Sequence, residues 1–224
     1  MMAHTHHPVQ SAGSRCYNCH MPYSSFALFS ASRSHRIDSP NVAMSASHGR
    51  PNACNQCHID QTLAWTNQHL EHWYGIEQAV LTPEQATVPA TILWLLSGDA
   101  IQRVLAAWSL SWEPAQEAAG SDWQPPLLAK LLDDPYSMAR YMAAHSLSRL
   151  NVDTSSFDYV QPPAERESLA ETFTRPVTVE VSSFSTAVRS LFGENKQLHP
   201  DVIQSLLKMG RLHRFGAGCL RCRT

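Results

Sequence analysis

Several things are scarce in this sequence, and each scarcity excludes a class of protein. No apolar run approaches the roughly 20 residues needed to cross a bilayer. The longest, Val88–Leu96, is interrupted by Pro89 and Thr91, so no membrane span is expected. Charge of one sign is not in excess. Seventeen Lys and Arg face 19 Asp and Glu, for a net charge of -2. That balance argues against a nucleic-acid footprint and against an anionic membrane partner. Residues 1–15 carry neither a basic stretch nor an apolar stretch of the kind that marks a signal peptide. Leu28 is the only leucine in the first 60 residues and long periodic runs are missing there, so residues 1–75 read as loops and short helices wrapped around something other than an apolar core. No cysteine stands outside a pair, whereas a disulfide framework usually shows varied spacing.

What is present is concentrated. Of 12 histidines, nine fall within the first 72 residues: His4, His6, His7, His20, His35, His48, His58, His69 and His72. The six cysteines form three pairs with two residues between partners: Cys16/Cys19, Cys54/Cys57 and Cys219/Cys222. The first two pairs are each followed at once by a histidine, giving Cys16-Tyr17-Asn18-Cys19-His20 and Cys54-Asn55-Gln56-Cys57-His58.

That spacing suits haem c. Two thiols separated by two residues reach both vinyl groups of one porphyrin and form two thioethers, and the next imidazole then lies beneath the iron. Two covalent haems are therefore expected, held by Cys16, Cys19 and His20 and by Cys54, Cys57 and His58. A zinc site built from the four cysteines is the main competitor. Its intervening loop is longer than a zinc ribbon's, and zinc leaves both histidines unexplained. A thioredoxin-like pair would need a βαβ context that is absent.

A low-spin electron-transfer haem needs a sixth ligand, and bis-histidine ligation is the natural expectation in so histidine-rich a segment. His4, His6, His7, His35, His48, His69 and His72 are the surplus. On a continuous helix over Cys57–Tyr74, His58 and His69 would stand about 16 Å apart along the axis and could not share an iron. Met44 is a less favoured axial ligand, and Met21 is sterically badly set. Arg15, Arg33, Arg36 and Arg50 are candidate propionate partners or solvated charges. Tyr17, Tyr23, Phe26, Phe29, Trp65, Trp73 and Tyr74 are candidates to pack on porphyrin. Cys219-Leu220-Arg221-Cys222-Arg223 lacks the histidine and reads as a non-haem pair, either free thiols or, if exported, a disulfide.

The remainder reads as mainly α. Thr82 caps a helix opening at Pro83-Glu84, with Ile92, Leu93, Leu95 and Leu96 on its apolar face. Gly98-Asp99 breaks it, and Ile101, Val104, Leu105 and Trp108 continue at helical spacing. A loop over 113–126 precedes Leu127, Leu128, Leu131 and Leu132. The turn Asp133-Asp134-Pro135 then leads to a helix carrying Met138, Tyr141, Met142, His145 and Leu147. Arg103 aligns with Arg140, Ala106-Ala107 with Ala143-Ala144 and Ser109-Leu110 with Ser146-Leu147, all at an offset of 37. A two-helix unit of that period resembles a HEAT-type repeat; two unrelated hairpins are the alternative. Beyond it, 165–173 and 185–192 look helical, and 174–181 suits only a short or edge strand because of Pro176. A helix is expected from Pro200 to Met209, stopped by Gly210. The organisation expected is a loop-rich dihaem segment over 1–78, HEAT-like α-helical repeats over 79–150 and a degenerate helical region over 151–224.

His6-His7 and the run Cys16–Pro22, with Cys-His-Met-Pro closing the first motif, resemble multihaem c-type cytochromes of the broad nitrite-reductase and cytochrome c-554 type. So do Arg33-Ser34-His35, Gly49–Cys54, Trp65 and Trp73-Tyr74-Gly75. The resemblance implies closely spaced bis-histidine haems with His7 and His35 as distal ligands, and redox partner proteins or further haem domains. It implies a longer usual protein with a signal peptide and more haems upstream, so that this chain would be truncated and the full protein periplasmic or otherwise exported. The catalytic haem of nitrite reductases has lysine where these motifs have histidine, so an electron carrier, or a fragment of a multihaem oxidoreductase, is expected rather than an enzyme. A HEAT-like interaction scaffold with a structural metal site or no cofactor is the alternative function.

Overall fold

The computed structural model describes residues 2–163, 166, 173, 180–193 and 195–216. The described part is mainly helical. A short turn of helix, α1 (Met2–Thr5), leads through a 3-10 turn at Ala12–Ser14 into α2 (Cys16–His20), the first motif. Next comes a hairpin, β1 (Tyr23–Ala27) and β2 (Ser30–Arg33), paired antiparallel with Ala27 opposite Ser30. It was not expected from the sequence. Its two-residue turn is Leu28-Phe29, with φ of 51° and 61°. Tight hairpin turns require that left-handed backbone and usually advertise it with Asn-Gly or Asp-Gly, so two bulky residues gave no signal.

Helix α3 (Val42–His48) is capped by the Asn41 side chain, which accepts from Met44 N, and ends at Gly49 with φ 65°. Helix α4 (Ala53–Cys57) carries the second motif and stops at His58. Thr62 then caps α5 (Leu63–Tyr74) by accepting from Trp65 N. A continuous helix over Cys57–Tyr74 is therefore not formed, and the axial separation of His58 and His69 that it implied does not apply. His58 sits in a bend, and His69 returns towards it from α5.

The apolar core lies mostly after residue 78. The helix expected from Pro83 divides into α6 (Pro83–Thr87) and α7 (Ala90–Ser97), because Pro89 forces Val88 into extended backbone (φ -95°, ψ 141°). Asp99 caps α8 (Ala100–Leu110) in a reciprocal capping box with Gln102. The segment read as a loop contains α9 (Glu113–Ala119), whose Pro114 lies in the first turn, where proline is tolerated. Helices α10 (Pro125–Ala129) and α11 (Ser137–Arg149) follow. Ile92, Leu95, Val104, Leu110, Leu127, Leu132, Met142 and Leu147 are all buried in one cluster.

α8 packs on α7 and on α11. The alanines let α8 and α11 approach closely: Ala107 and Ala143 are wholly buried, and Ser146 Oγ donates to the Ala107 carbonyl at 2.8 Å. Arg103 and Arg140, matched by the offset of 37, converge on Asp134. Arg103 forms a buried two-point ion pair with its carboxylate at 2.7 and 2.9 Å, and Arg140 donates to its carbonyl at 2.6 Å.

Ser185 caps the short α12 (Thr186–Arg189), a smaller helix than expected over 185–192. The last helix, α13 (Pro200–Gly216), runs through Gly210 instead of stopping there. A Cβ at Gly210 would stand 2.8 Å from Ser97 Cα and 2.9 Å from the Leu96 carbonyl. Glycine is used here for close approach of α13 to α7, not as a terminator. The expectations over 165–173 and 174–181 fall largely outside the described residues, and Cys219 and Cys222 fall wholly outside them. Among the described residues, no helix is long and apolar enough to cross a membrane.

Candidate cofactor site

Each motif forms one short helix, and the residues between its cysteines anchor it. Asn18 is buried in α2. Its amide donates to the Ala12 carbonyl at 2.8 Å, and its Oδ1 accepts from Arg33 at 2.5 Å. Arg33 also donates to the carbonyls of Tyr17 and Met21, both at 2.9 Å, and its guanidinium lies over the Tyr17 and Tyr23 rings at 4.6 and 4.2 Å. It is a clamp on the first motif rather than a solvated charge. In α4, Asn55 is wholly buried, donating to the Gln61 carbonyl at 3.0 Å and accepting from Thr66 Oγ1 at 2.9 Å. Gln56 pairs both ways with the Tyr23 backbone, giving 2.5 Å and accepting at 3.2 Å. In the sequence Asn18, Asn55 and Gln56 read only as spacers between cysteines. Only their amide side chains hinted otherwise.

The helical region supports the second motif directly. Thr91 Oγ1 donates to the Asn55 carbonyl at 2.6 Å, and Ala90 N donates to the Gln61 carbonyl at 3.0 Å. The Tyr23 ring packs at a tilt against Trp108 with centroids 4.1 Å apart, which ties the hairpin and α2 to α8.

Two imidazoles face the motif histidines. His7 lies opposite His58 with ring centroids 5.9 Å apart, and His4 lies opposite His20 at 6.1 Å with rings only 6° from parallel. A ligating imidazole nitrogen sits about 2 Å from its metal and roughly 1 Å from its own ring centre, so two rings sharing one ion have centres about 6 Å apart. Both pairs meet that requirement. Their outer nitrogens are engaged too. His20 Nδ1 bonds the Asp38 carbonyl at 2.7 Å, and His7 Nδ1 bonds the Thr5 carbonyl at 2.5 Å. A carbonyl can only accept, so Nδ1 carries the proton in each and Nε2 is left as a lone-pair donor. The Asp38 carboxylate is held below the usual range by the Arg50 guanidinium, 2.7 Å away, which steadies the same loop.

The imidazole pairs open onto two adjoining clefts. One, of about 210 Å³, is lined by His7, Cys54, Cys57, His58, His69 and Trp73. The other, of about 390 Å³, is lined by His4, Cys16, Cys19, His20, Tyr74 and Ile76. The thiols are unpaired, and burial is the chief cause that pushes Cys54 and Cys57 up to about 12, with neighbouring thiols adding to it. Burial first, then His7 and His69, push His58 down to about 4, so its imidazole is neutral and able to ligate at ordinary pH. A pair of thiols beside one of two facing imidazoles is the donor set for a thioether-linked haem, and the residues present fit that group. Among the described residues, no group of three or more His, Cys, Asp and Glu side chains is arranged to hold a metal ion.

Of the remaining candidates, His35 is exposed and, among the described residues, makes no ring contact. His69 lines the first cleft, with Nδ1 bonded to the Trp65 carbonyl at 2.9 Å. Trp65 and Trp73 line that cleft, and Tyr74 the second. Tyr23 and Phe29 pack against helices instead, Phe29 on Tyr141 at 5.0 Å. Met44 is exposed and Met21 half-buried.

A site of this make-up has the donor groups that a c-type cytochrome uses. In the comparison with known families, the model for cytochrome c552 matches residues 3–106, a span that takes in both motifs, His4, His7 and most of α8. The match supports a multihaem c-type cytochrome carrying haem c in electron transfer. No curated protein and no solved structure matches the chain.

Proposed function

We propose that residues 2–75 bind two covalent haems c with bis-histidine ligation and pass electrons between redox partner proteins. One haem is tethered by Cys16 and Cys19 between His20 and His4, the other by Cys54 and Cys57 between His58 and His7. In this reading His7 serves as the resemblance implied, while His4 takes the role expected of His35. The observation that carries it is the pair of facing imidazoles, each about 6 Å centre to centre across a cleft bearing two thiols.

When bound, each haem supplies a one-electron couple between ferric and ferrous iron. The chain's own residues do the rest. The thiols fix each ring in the cleft. His20 and His7 hold their Nδ1 protons on backbone carbonyls and so offer Nε2 at a fixed angle. Trp65, Trp73 and Leu70 exclude water, which lowers the local dielectric and tunes the potential. Cys19, Cys54 and Trp73 line both clefts, a closeness suited to fast transfer between two haems. Residues 79–150 are read as a HEAT-like pair of helical hairpins that braces the second motif and offers a partner surface. The family is usually periplasmic or exported, and this protein is assigned there with it.

The test is material matured in a host that attaches haem c. Pyridine haemochrome and intact mass are expected to give two haems per chain, and the ferric spectrum two low-spin centres. Zinc, or no added mass, would refute the reading.

A further inference from the structure

The two facing histidines come from one short segment. His4 and His7 are three residues apart, so their Cα atoms can separate by no more than about 10 Å. Of the described residues between and before them, Met2, Ala3 and His6 are exposed and Thr5 is half-buried. No residue of α1 is buried, so no apolar core holds this segment down. What holds it is the end of α5. The His6 ring stacks on Trp73 at 4.4 Å and 7° from parallel, and meets Tyr74 edge-on at 5.6 Å. Tyr74 Oη donates to the His4 carbonyl at 2.5 Å. His6 itself has φ 54°, a left-handed conformation that turns the chain between the two clefts. On the far side, His7 lies against Gly13, where a Cβ would stand 2.2 Å from its ring.

We propose that residues 2–7 form a single ligand-bearing strap seated on Trp73 and Tyr74, so that the sixth positions of the two haems open and close together. This rests on the bis-histidine reading above. Trp73 and Tyr74 are positioning residues in it. They touch the strap rather than the iron of either haem. Each ligand anchors the strap for the other, because an anchored partner keeps the second imidazole at high effective concentration over its own site. A coupling of this kind is reciprocal: whatever factor loss of His7 imposes at the His4 site, loss of His4 must impose at the His7 site. The consequence is a protein with two states. In one, both haems are closed and fit only for electron transfer. In the other, both admit a small exogenous ligand.

Carbon monoxide binding to the ferrous dihaem protein reads this out, because a six-coordinate haem takes it up only when a ligand leaves. His7→Ala opens the haem on His58 outright. The strap then predicts that the haem on His20 binds carbon monoxide roughly tenfold more tightly than in the parent protein. His4→Ala gives the mirror result with the same factor. Tyr74→Phe, which removes only the hydroxyl and leaves all four imidazoles in place, raises carbon monoxide affinity at both haems by roughly three- to tenfold. It also serves if the ligand variants load haem poorly.

Outcomes separate cleanly. If each histidine variant opens its own haem and leaves the other unchanged, or if Tyr74→Phe affects one haem or neither, the strap is overturned and the ligation reading stands. If His4→Ala and His7→Ala leave their own haems closed, the ligation reading falls, and the strap with it.

Discussion

Adding one methyl group at Gly13 tests the assignment of His7. Gly13 lies in the turn Ala12–Ser14, and its φ is not positive, so alanine fits the backbone there without strain. Alanine also has fewer unfolded conformations to lose, which favours the folded state by about 0.4–1 kcal/mol. Global stability should therefore hold or rise slightly. The local effect runs the other way. The new Cβ would stand 2.2 Å from His7 Cδ2, 2.4 Å from Cγ and 2.7 Å from Nε2. Ordinary contact begins at 3.4 Å, so Cδ2 must retreat by about 1.2 Å and Nε2 by about 0.7 Å. A metal–ligand bond tolerates only about 0.2 Å of departure from its usual length. The ring also risks its bond to the Thr5 carbonyl, worth about 1 kcal/mol. The expected result is a folded dihaem protein in which at least the haem on His58 loses its sixth ligand. Electron paramagnetic resonance of the ferric form would show a high-spin centre in place of a low-spin one, and the ferrous form would take up carbon monoxide. Two unchanged low-spin signals with no uptake would refute the placement of His7 as a ligand.

Other outcomes follow from the same geometry. His35→Ala should leave both haems low-spin, whereas His4→Ala should convert one, as judged by the same spectra. Asp134→Ala strips the partner from Arg103, which is 3 % exposed, and a stranded buried charge costs about 3–5 kcal/mol, measurable as a lower denaturation midpoint with haem content unchanged. Gly210→Val should push α13 off α7 and cost about 1–3 kcal/mol by the same assay, since its Cβ meets backbone and not a movable side chain. Protein made without haem attachment should be cut readily by protease within residues 2–75 while the 79–150 core resists. The first segment buries only a few small or aliphatic side chains, such as Val42, Ile59, Leu63 and Leu70, and relies on the cofactors for the rest.

What could be read in the sequence was whatever depends on local spacing. Each Cys-x-x-Cys-His run declares its own chemistry, and the leucine and alanine periodicity after residue 82 marks α7, α8 and α11 because a core-facing helix must repeat its apolar positions. The cap at Thr82 was legible from its place before Pro83-Glu84, whereas Asp99 read only as part of a break. What was not legible depends on contacts between distant segments. The helix expected from Pro83 ran straight through Pro89, which separates two helices. Gly210 was taken as a stop, although its missing side chain serves a neighbour more than a hundred residues away in the chain. The Leu28-Phe29 turn has no composition signal, and only the pairing of its flanking strands sustains it. His4 and His35 are indistinguishable as residue types. The choice of His4 beside His20 arises from Tyr74 and Trp73, which draw the segment over the clefts.

The same division explains why the segment with so little apolar core is the one that carries the chemistry. A cleft for a large flat cofactor cannot be filled by side chains without closing it, so residues 2–75 hold their shape by hydrogen bonds to backbone groups: Asn18 to Ala12, Asn55 to Gln61, Gln56 to Tyr23 and His20 to Asp38. Such bonds are directional and contribute only about 1 kcal/mol each. They fix angles better than they resist unfolding. Resistance comes from the helical cluster behind them, through the Tyr23–Trp108 ring contact and the Thr91–Asn55 bond. Stability and precision are thus supplied by different parts of the chain. A substitution at Thr91, far from either cleft mouth, should move the haem on His58 before it lowers the melting temperature. Thr91→Val removes a buried donor at nearly constant volume and leaves the Asn55 carbonyl short of a partner, a loss of about 1–3 kcal/mol concentrated at the turn that carries Cys54 and Cys57. A shifted reduction potential or a split low-spin signal for one haem, with the other unchanged, is the expected reading. Equal shifts at both haems, or a loss of melting temperature alone, would show that the helical region supports the fold without steering the site.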